Sequence, residues 1–140
     1  MGRINTVRVI LGGLAAGLVI NIVETVVNML LIKHVMDELL ASLNLEPIDA
    51  AAGVGYMVLA FALGILIVWL YAAIRPRYGP GAMTALRAGF AVWAAFYLLG
   101  AGSNWLTGIA PTHLYIHNLL YSLPMMLIAA WVGGRLYREE

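Results

Sequence analysis

The chain has 140 residues, of which 63% are hydrophobic and 11% charged, against about half apolar and roughly a quarter charged in a soluble domain. A chain of this length cannot hide so much apolar surface from water, and disorder needs the opposite composition, so a soluble globular domain and a disordered chain are both excluded. Cysteine is absent and the formal net charge is +1, which removes disulfide scaffolds, thiol chemistry and cysteine-ligated metals and argues against a nucleic-acid partner.

A helix crosses the hydrocarbon core with about 20 predominantly apolar residues. The first such stretch runs from about Val7 to Ile32. It follows Arg3 and Arg8 and continues well past the apolar run of a signal peptide, so it is expected to stay as a span. Within it Gly13, Gly17, Asn21, Glu24 and Asn28 recur at spacings of four, four, three and four, which puts them on one helix face. Gly13 and Gly17 form a small-xxx-small pattern that lets another backbone approach closely. This face is expected to pack on another helix, within the chain or across an oligomer.

Glu24 is the only acidic residue well inside a predicted span. It lies roughly 12 Å from the end of the helix at Ile32, at about 1.5 Å per residue. An Asp at the centre of a span costs about 2.5–3.5 kcal/mol on insertion scales, and no Lys or Arg lies at that depth on the other spans. The carboxyl group must stay protonated, face water, or pair with a histidine or a metal. As packing glue it would bond Asn21 or a neighbouring helix. An intramembrane acid is otherwise a proton carrier, ligand or general base by default.

From Lys33 to Asp49, residues Val35, Met36, Leu39, Leu40 and Leu43 oppose Asp37, Glu38 and Asn44 at helical spacing. That predicts an amphipathic helix on the outer interface or capping the bundle, ended by Pro47, with Asp49 capping the next span. The second span runs from about Ala50 to Ile74, and Arg75 to Gly81 is predicted as a stiff basic turn whose arginines meet anionic headgroups. The third span runs from about Ala82 to Leu106, with Trp93 at mid-depth as a packing residue. A short connection closed by Pro111 comes next, with Thr112 as candidate cap.

The fourth span runs from about His113 to Tyr137. His113, His117 and Tyr121 are four apart and share a face, with Asn118 and Ser122 beside them. His117 lies roughly 7 Å and Tyr121 roughly 13 Å into the membrane, level with Asn28 and Glu24. Pro124, just below, can kink the helix. Polar residues inside the membrane therefore gather in the outer half, and a pocket open to the outer face is expected. Its candidate ligand-binding or proton-carrying residues are Glu24, Asn21, Asn28, His117, Tyr121 and Asn104. Two histidines at i, i+4 with a Glu are compatible with a metal, so His113, His117 and Glu24 are the weak candidates, although no metal is expected. A haem on His117 lacks an opposed second histidine, and the sequence names no cofactor.

Short connections make neighbouring helices antiparallel. The predicted fold is therefore all-α: one domain over residues 1–140, an up-down-up-down bundle of four transmembrane helices. Arg3, Arg8, Arg75, Arg77, Arg87, Arg135 and Arg138 fall on one side, and Lys33 with Asp37, Glu38, Glu46 and Asp49 on the other. Basic residues mark the cytoplasmic side, so both termini are expected there.

The stretch from Trp69 to Gly81, WLYAAIRPRYGPG, and that from Thr84 to Gly89, TALRAG, resemble small bacterial four-helix membrane proteins of uncharacterised function. The segment Asn21 to Thr25, NIVET, is similar to the first span of such proteins. The resemblance implies a bacterial inner-membrane protein and carries no activity. Three functions are expected. The first is binding or transport of a small apolar or lipid-like molecule, or of a proton-coupled cation, by an oligomer built on the Gly13/Gly17 face. The second is an accessory subunit of a larger membrane complex. The third is a membrane enzyme on a lipophilic substrate, with Glu24, His117 and Tyr121 as acid–base groups.

Overall fold

The computed structural model describes residues 4–139, and all regular structure among them is helical. Helix α1 (Thr6–Val27) passes through a π-helical turn (Asn28–Ile32) into α2 (Lys33–Ser42). Helix α3 (Ala50–Tyr78) comes next, then α4 (Ala82–Trp93), which passes through a second π turn (Ala94–Leu98) into α5 (Leu99–Trp105), and finally α6 (Thr112–Leu136). This makes four helical rods, Thr6–Ser42, Ala50–Tyr78, Ala82–Trp105 and Thr112–Leu136, each long and apolar enough to cross a membrane.

The caps obey local chemistry, and five features depart from the sequence reading. Asn5 Oδ1 accepts from the Arg8 N–H at 3.0 Å and starts α1, and Asp49 Oδ1 accepts from the Ala52 N–H at 2.7 Å and starts α3 as expected. The amphipathic segment, however, is no separate cap on the bundle: α2 continues α1 and packs only on the intervening π turn. It stops at Ser42, before Pro47, where Asn44 takes a φ of 56° and the Leu45 N–H reaches back to the Leu40 carbonyl at 2.9 Å. The basic turn is shorter than predicted. Arg75 to Tyr78 form the last turn of α3, with Pro76 inside it, and the helix ends at Gly79 with a φ of 80°. Arg75 is mostly covered there, 3.5 Å from Glu139 and over the Tyr137 ring, rather than reaching out to headgroups. Thr112 is the first residue of α6 and not its cap; its Oγ1 accepts from Trp105 Nε1 at 3.2 Å and ties the short connection together.

Helix α1 packs between α3 and α6, and α4 packs between the same two on the opposite corner. Gly13 meets Ile65, Gly17 meets Phe61 and Asn21 meets Met57, so α1 and α3 run antiparallel. Gly12 meets Gly133 while Glu24 meets Tyr121, and Ala85 meets Gly134 while Trp93 meets Ser122, so α6 is antiparallel to both α1 and α4. Without a hydrophobic drive between helices in lipid, such close backbone approach is what holds them. At Gly64 of α3 a Cβ would run into the Gly13 carbonyl and the Gly17 backbone. The Gly13/Gly17 face, expected to pack within the chain or across an oligomer, is thus filled by α3 of the same chain.

Among the described residues, every buried one lies within 9–21, 60–93 or 122–137. These segments form the half of the bundle nearest the chain ends, centred on Ile20, Ile67, Val68, Met125 and Met126. In the distal half the helices part: α3 makes no packing contact with residues 94–105. Gly64→Val should lower stability to unfolding in detergent micelles by about 2 kcal/mol through overpacking. Gly53→Ala, where a Cβ meets nothing, should leave stability unchanged or slightly raised.

Candidate functional site

Where α3 and the third rod separate, they leave a cavity of about 1130 Å³. One wall is α1, its π turn and the start of α2; a second is the first half of α3; Phe96, Tyr97, Asn118 and Tyr121 form the third. Both π turns contribute, through Asn28, Met29 and Ile32 from one and Phe96 and Tyr97 from the other. A π turn inserts a residue and re-aims the side chains beyond it, and such turns are frequent at functional sites.

Glu24 lies on the inner side of this cavity, half-buried. The Tyr97 hydroxyl donates to Oε1 at 2.8 Å and the Tyr121 hydroxyl donates to Oε2 at 3.1 Å. Asn118 Nδ2 in turn donates to the Tyr121 oxygen at 3.0 Å. The first, third and fourth rods therefore meet at one carboxyl group. Beneath it the Trp93 indole N–H donates to Ser122 Oγ at 2.9 Å in the buried core. That bond satisfies both polar groups where no water reaches and fixes α4 against α6 one turn before Tyr97 and directly after Tyr121.

Sequence reasoning placed Asn21, Glu24, Asn28 and Tyr121 in one pocket, and all four line this cavity. Of the two bonds a packing role allows, Glu24 makes the one to neighbouring helices, through Tyr97 and Tyr121, and not the one to Asn21. Asn21 Nδ2 donates to the Gly17 carbonyl at 3.0 Å and to the Met57 carbonyl at 3.3 Å, pinning α1 to α3. Two other candidates lie elsewhere. His117 is exposed outside the cavity lining, and its aromatic neighbour is His113, with ring centroids 6.0 Å apart. On α6 it is Asn118, three residues before Tyr121, that turns inward; His117, four before, falls on the open side. Asn104 is exposed and its Nδ2 returns to the Gly100 carbonyl of its own helix at 2.9 Å. Among the described residues no three metal-ligating side chains gather, so His113, His117 and Glu24 form no common site. The acid–base set of Glu24, His117 and Tyr121 is likewise incomplete: Glu24 and Tyr121 meet, and His117 stays out.

Tyr97 is the residue the sequence reading missed. The available signal was a tyrosine at mid-span, whose hydroxyl needs a partner once removed from water. At the rim Lys33 Nζ pairs with Asp37 Oδ2 at 2.8 Å, and Asp49 is engaged as the α3 cap. Glu24 is thus the one acid in the interior of the cavity, on otherwise largely apolar walls.

No protein-family model, curated protein or solved structure matches this chain. The case for a function therefore rests on the cavity and its chemistry. Tyr97→Phe should cost about 1–2 kcal/mol by leaving a carboxyl oxygen without its donor. In a Glu24→Leu background the same change should cost nothing, and a double-mutant cycle by micellar unfolding should give a coupling of about 1 kcal/mol or more.

Proposed function

We propose that this chain is a membrane-embedded binding protein for a small amphiphile, a lipid-like molecule with an apolar body and a compact polar head. The observation that carries this reading is the Glu24–Tyr97–Tyr121 cluster on the inner side of a cavity with apolar walls, in the half of the bundle where α3 stands clear of residues 94–105. With the rods across a bilayer, that gap faces the acyl chains, and a ligand dissolved in the membrane enters sideways. The apolar walls take the body and the polar cluster takes the head, the usual division of labour in a small-molecule site. Below the cluster the core around Ile20, Ile67 and Met126 is closed, which favours binding over conduction through a single protomer.

The membrane placement belongs to the same proposal. The Arg-rich end carrying both termini faces the cytoplasm of a bacterial inner membrane, the rods run up-down-up-down, and the cavity lies in the outer leaflet. Basic side chains on the terminal end and acidic ones around α2 support that orientation, as does the resemblance of the first span and the Trp69–Gly89 region to small bacterial membrane proteins. Assembly with further copies or into a larger complex would use the outward faces of the rods, since Gly13 and Gly17 are occupied within the chain.

Two measurements check this. Dodecylamine, dodecanol and dodecanoate are titrated into nanodiscs with and without the protein. At least one should bind saturably, near one per chain, above partition into empty discs, and Leu63→Trp, which adds bulk to the cavity wall, should weaken that binding. Partition identical to empty discs for all three would contradict the reading. Because the chain has no cysteine, single cysteines report orientation directly. Asn44→Cys should react with a membrane-impermeant maleimide in intact cells and Pro80→Cys only after lysis.

A further inference from the structure

We propose that the head recognised by the Glu24 cluster is a cationic amine, so that the ligand is a lipophilic ammonium compound and not a lipid alcohol or an anionic lipid. This rests on the binding reading above and adds the chemical class of the head.

Donors and acceptors around the carboxyl group are unequally spent. A tyrosine hydroxyl has one proton to give. Tyr97 gives its proton to Glu24 Oε1 and Tyr121 gives its own to Oε2. Asn118 spends an N–H on the Tyr121 oxygen, and Asn21 directs its amide at the Gly17 and Met57 carbonyls. The donors that reach the carboxyl group are therefore committed, Thr25, Asn28 and Tyr56 holding further donors elsewhere on the wall, and at the carboxyl group itself the capacity still open is acceptor capacity on the Glu24 and Tyr97 oxygens. A carboxylate or phosphate head would find no cation and a like-charged neighbour. An ammonium head brings donors only and no acceptor, which is the complement of what is left.

Charge points the same way. Lys33 is the only basic side chain lining the cavity, and it is paired with Asp37 at 2.8 Å. Asp49 and Glu24 are acids with no ion-pair partner among the described residues. Thr25 and Asn28 also line the cavity but carry no charge. The aromatic lining, Tyr56 and Phe96 together with the tyrosines of the cluster, presents ring faces that attract cations, most strongly where water is excluded. An acid set among aromatic rings on a lipid-accessible wall suits an alkylammonium ion with its chain in the gap beside α3.

The test uses the protein in nanodiscs of phosphatidylcholine, so that the bilayer itself does not concentrate cations. Dodecylamine, which carries its charge near neutral pH as a lysine does, is compared with dodecanol and dodecanoate. The amine should bind about tenfold or more tightly than the alcohol, the ratio given by one charge-assisted hydrogen bond, and dodecanoate should bind weakest. Glu24→Gln should bring the amine down to the alcohol while leaving the alcohol unchanged. Equal binding of amine and alcohol to the unmodified protein, or amine binding untouched by Glu24→Gln, would overturn the amine assignment and leave the amphiphile site standing. Absence of saturable binding by all three compounds would overturn the site itself. The ranking on the unmodified protein needs no variant, so it decides the matter even where Glu24→Gln does not fold.

Discussion

A carboxyl group placed inside a membrane has to be met by hydrogen-bond donors, and much of the distal half of this bundle is shaped by how that need is filled. Glu24 takes one hydroxyl from the third rod and one from the fourth. The third-rod segment that carries Tyr97 makes no packing contact with α3. The carboxyl group is therefore a bridge beside the gap where α3 and the third rod have parted, and it is made by long side chains and not by close backbones.

The terminal half works by the opposite means. There the residues at the interfaces are Gly12, Gly13, Gly17, Gly64, Gly133 and Gly134, and the helices approach until a single added Cβ would collide with a neighbouring backbone or side chain. Dispersion between close backbones holds helices together in lipid, whereas tyrosine-to-carboxylate bonds hold them apart at a set distance. One rod, from Thr6 to Ser42, carries both devices: glycines first, then Asn21 as the last tie to α3, then Glu24. At about 1.5 Å per residue it is roughly 55 Å long, well beyond the ~30 Å hydrocarbon core, and α2 is its amphipathic extension.

The spans, the cap at Asp49 and the clustering of Glu24 with Tyr121 were legible because they obey local rules: apolar run length, side-chain capping and the four-residue repeat of a helix face. The features that were not legible depend on partners far away in the chain. The pattern at Gly13 and Gly17 announces a close contact but not whether the other helix belongs to the same chain; Gly64 answers that. His117 shares a face with Tyr121 on a helical wheel, yet only one side of that face meets the cavity, and Asn118 holds it. Tyr97 offered only a mid-span hydroxyl in need of a partner; a π turn at Ala94–Leu98 aims it, and nothing in five apolar and aromatic residues marks such a turn. Pro76 misled in the usual way: it reads as a stop, but α3 carries it inside its last turn and ends at Gly79 instead.

The central claim is that Glu24 is a carboxyl group reachable from the acyl chains and shielded by a ligand's head. A lipid-soluble carbodiimide, which forms a stable adduct with carboxyl groups it can reach from within the bilayer, tests this directly by peptide mass mapping. The account predicts one adduct on Glu24, none there in Glu24→Gln, and slower labelling when dodecylamine is present. Glu24 left unlabelled while Asp37 and Glu38 react, or labelling indifferent to the amine, would contradict it.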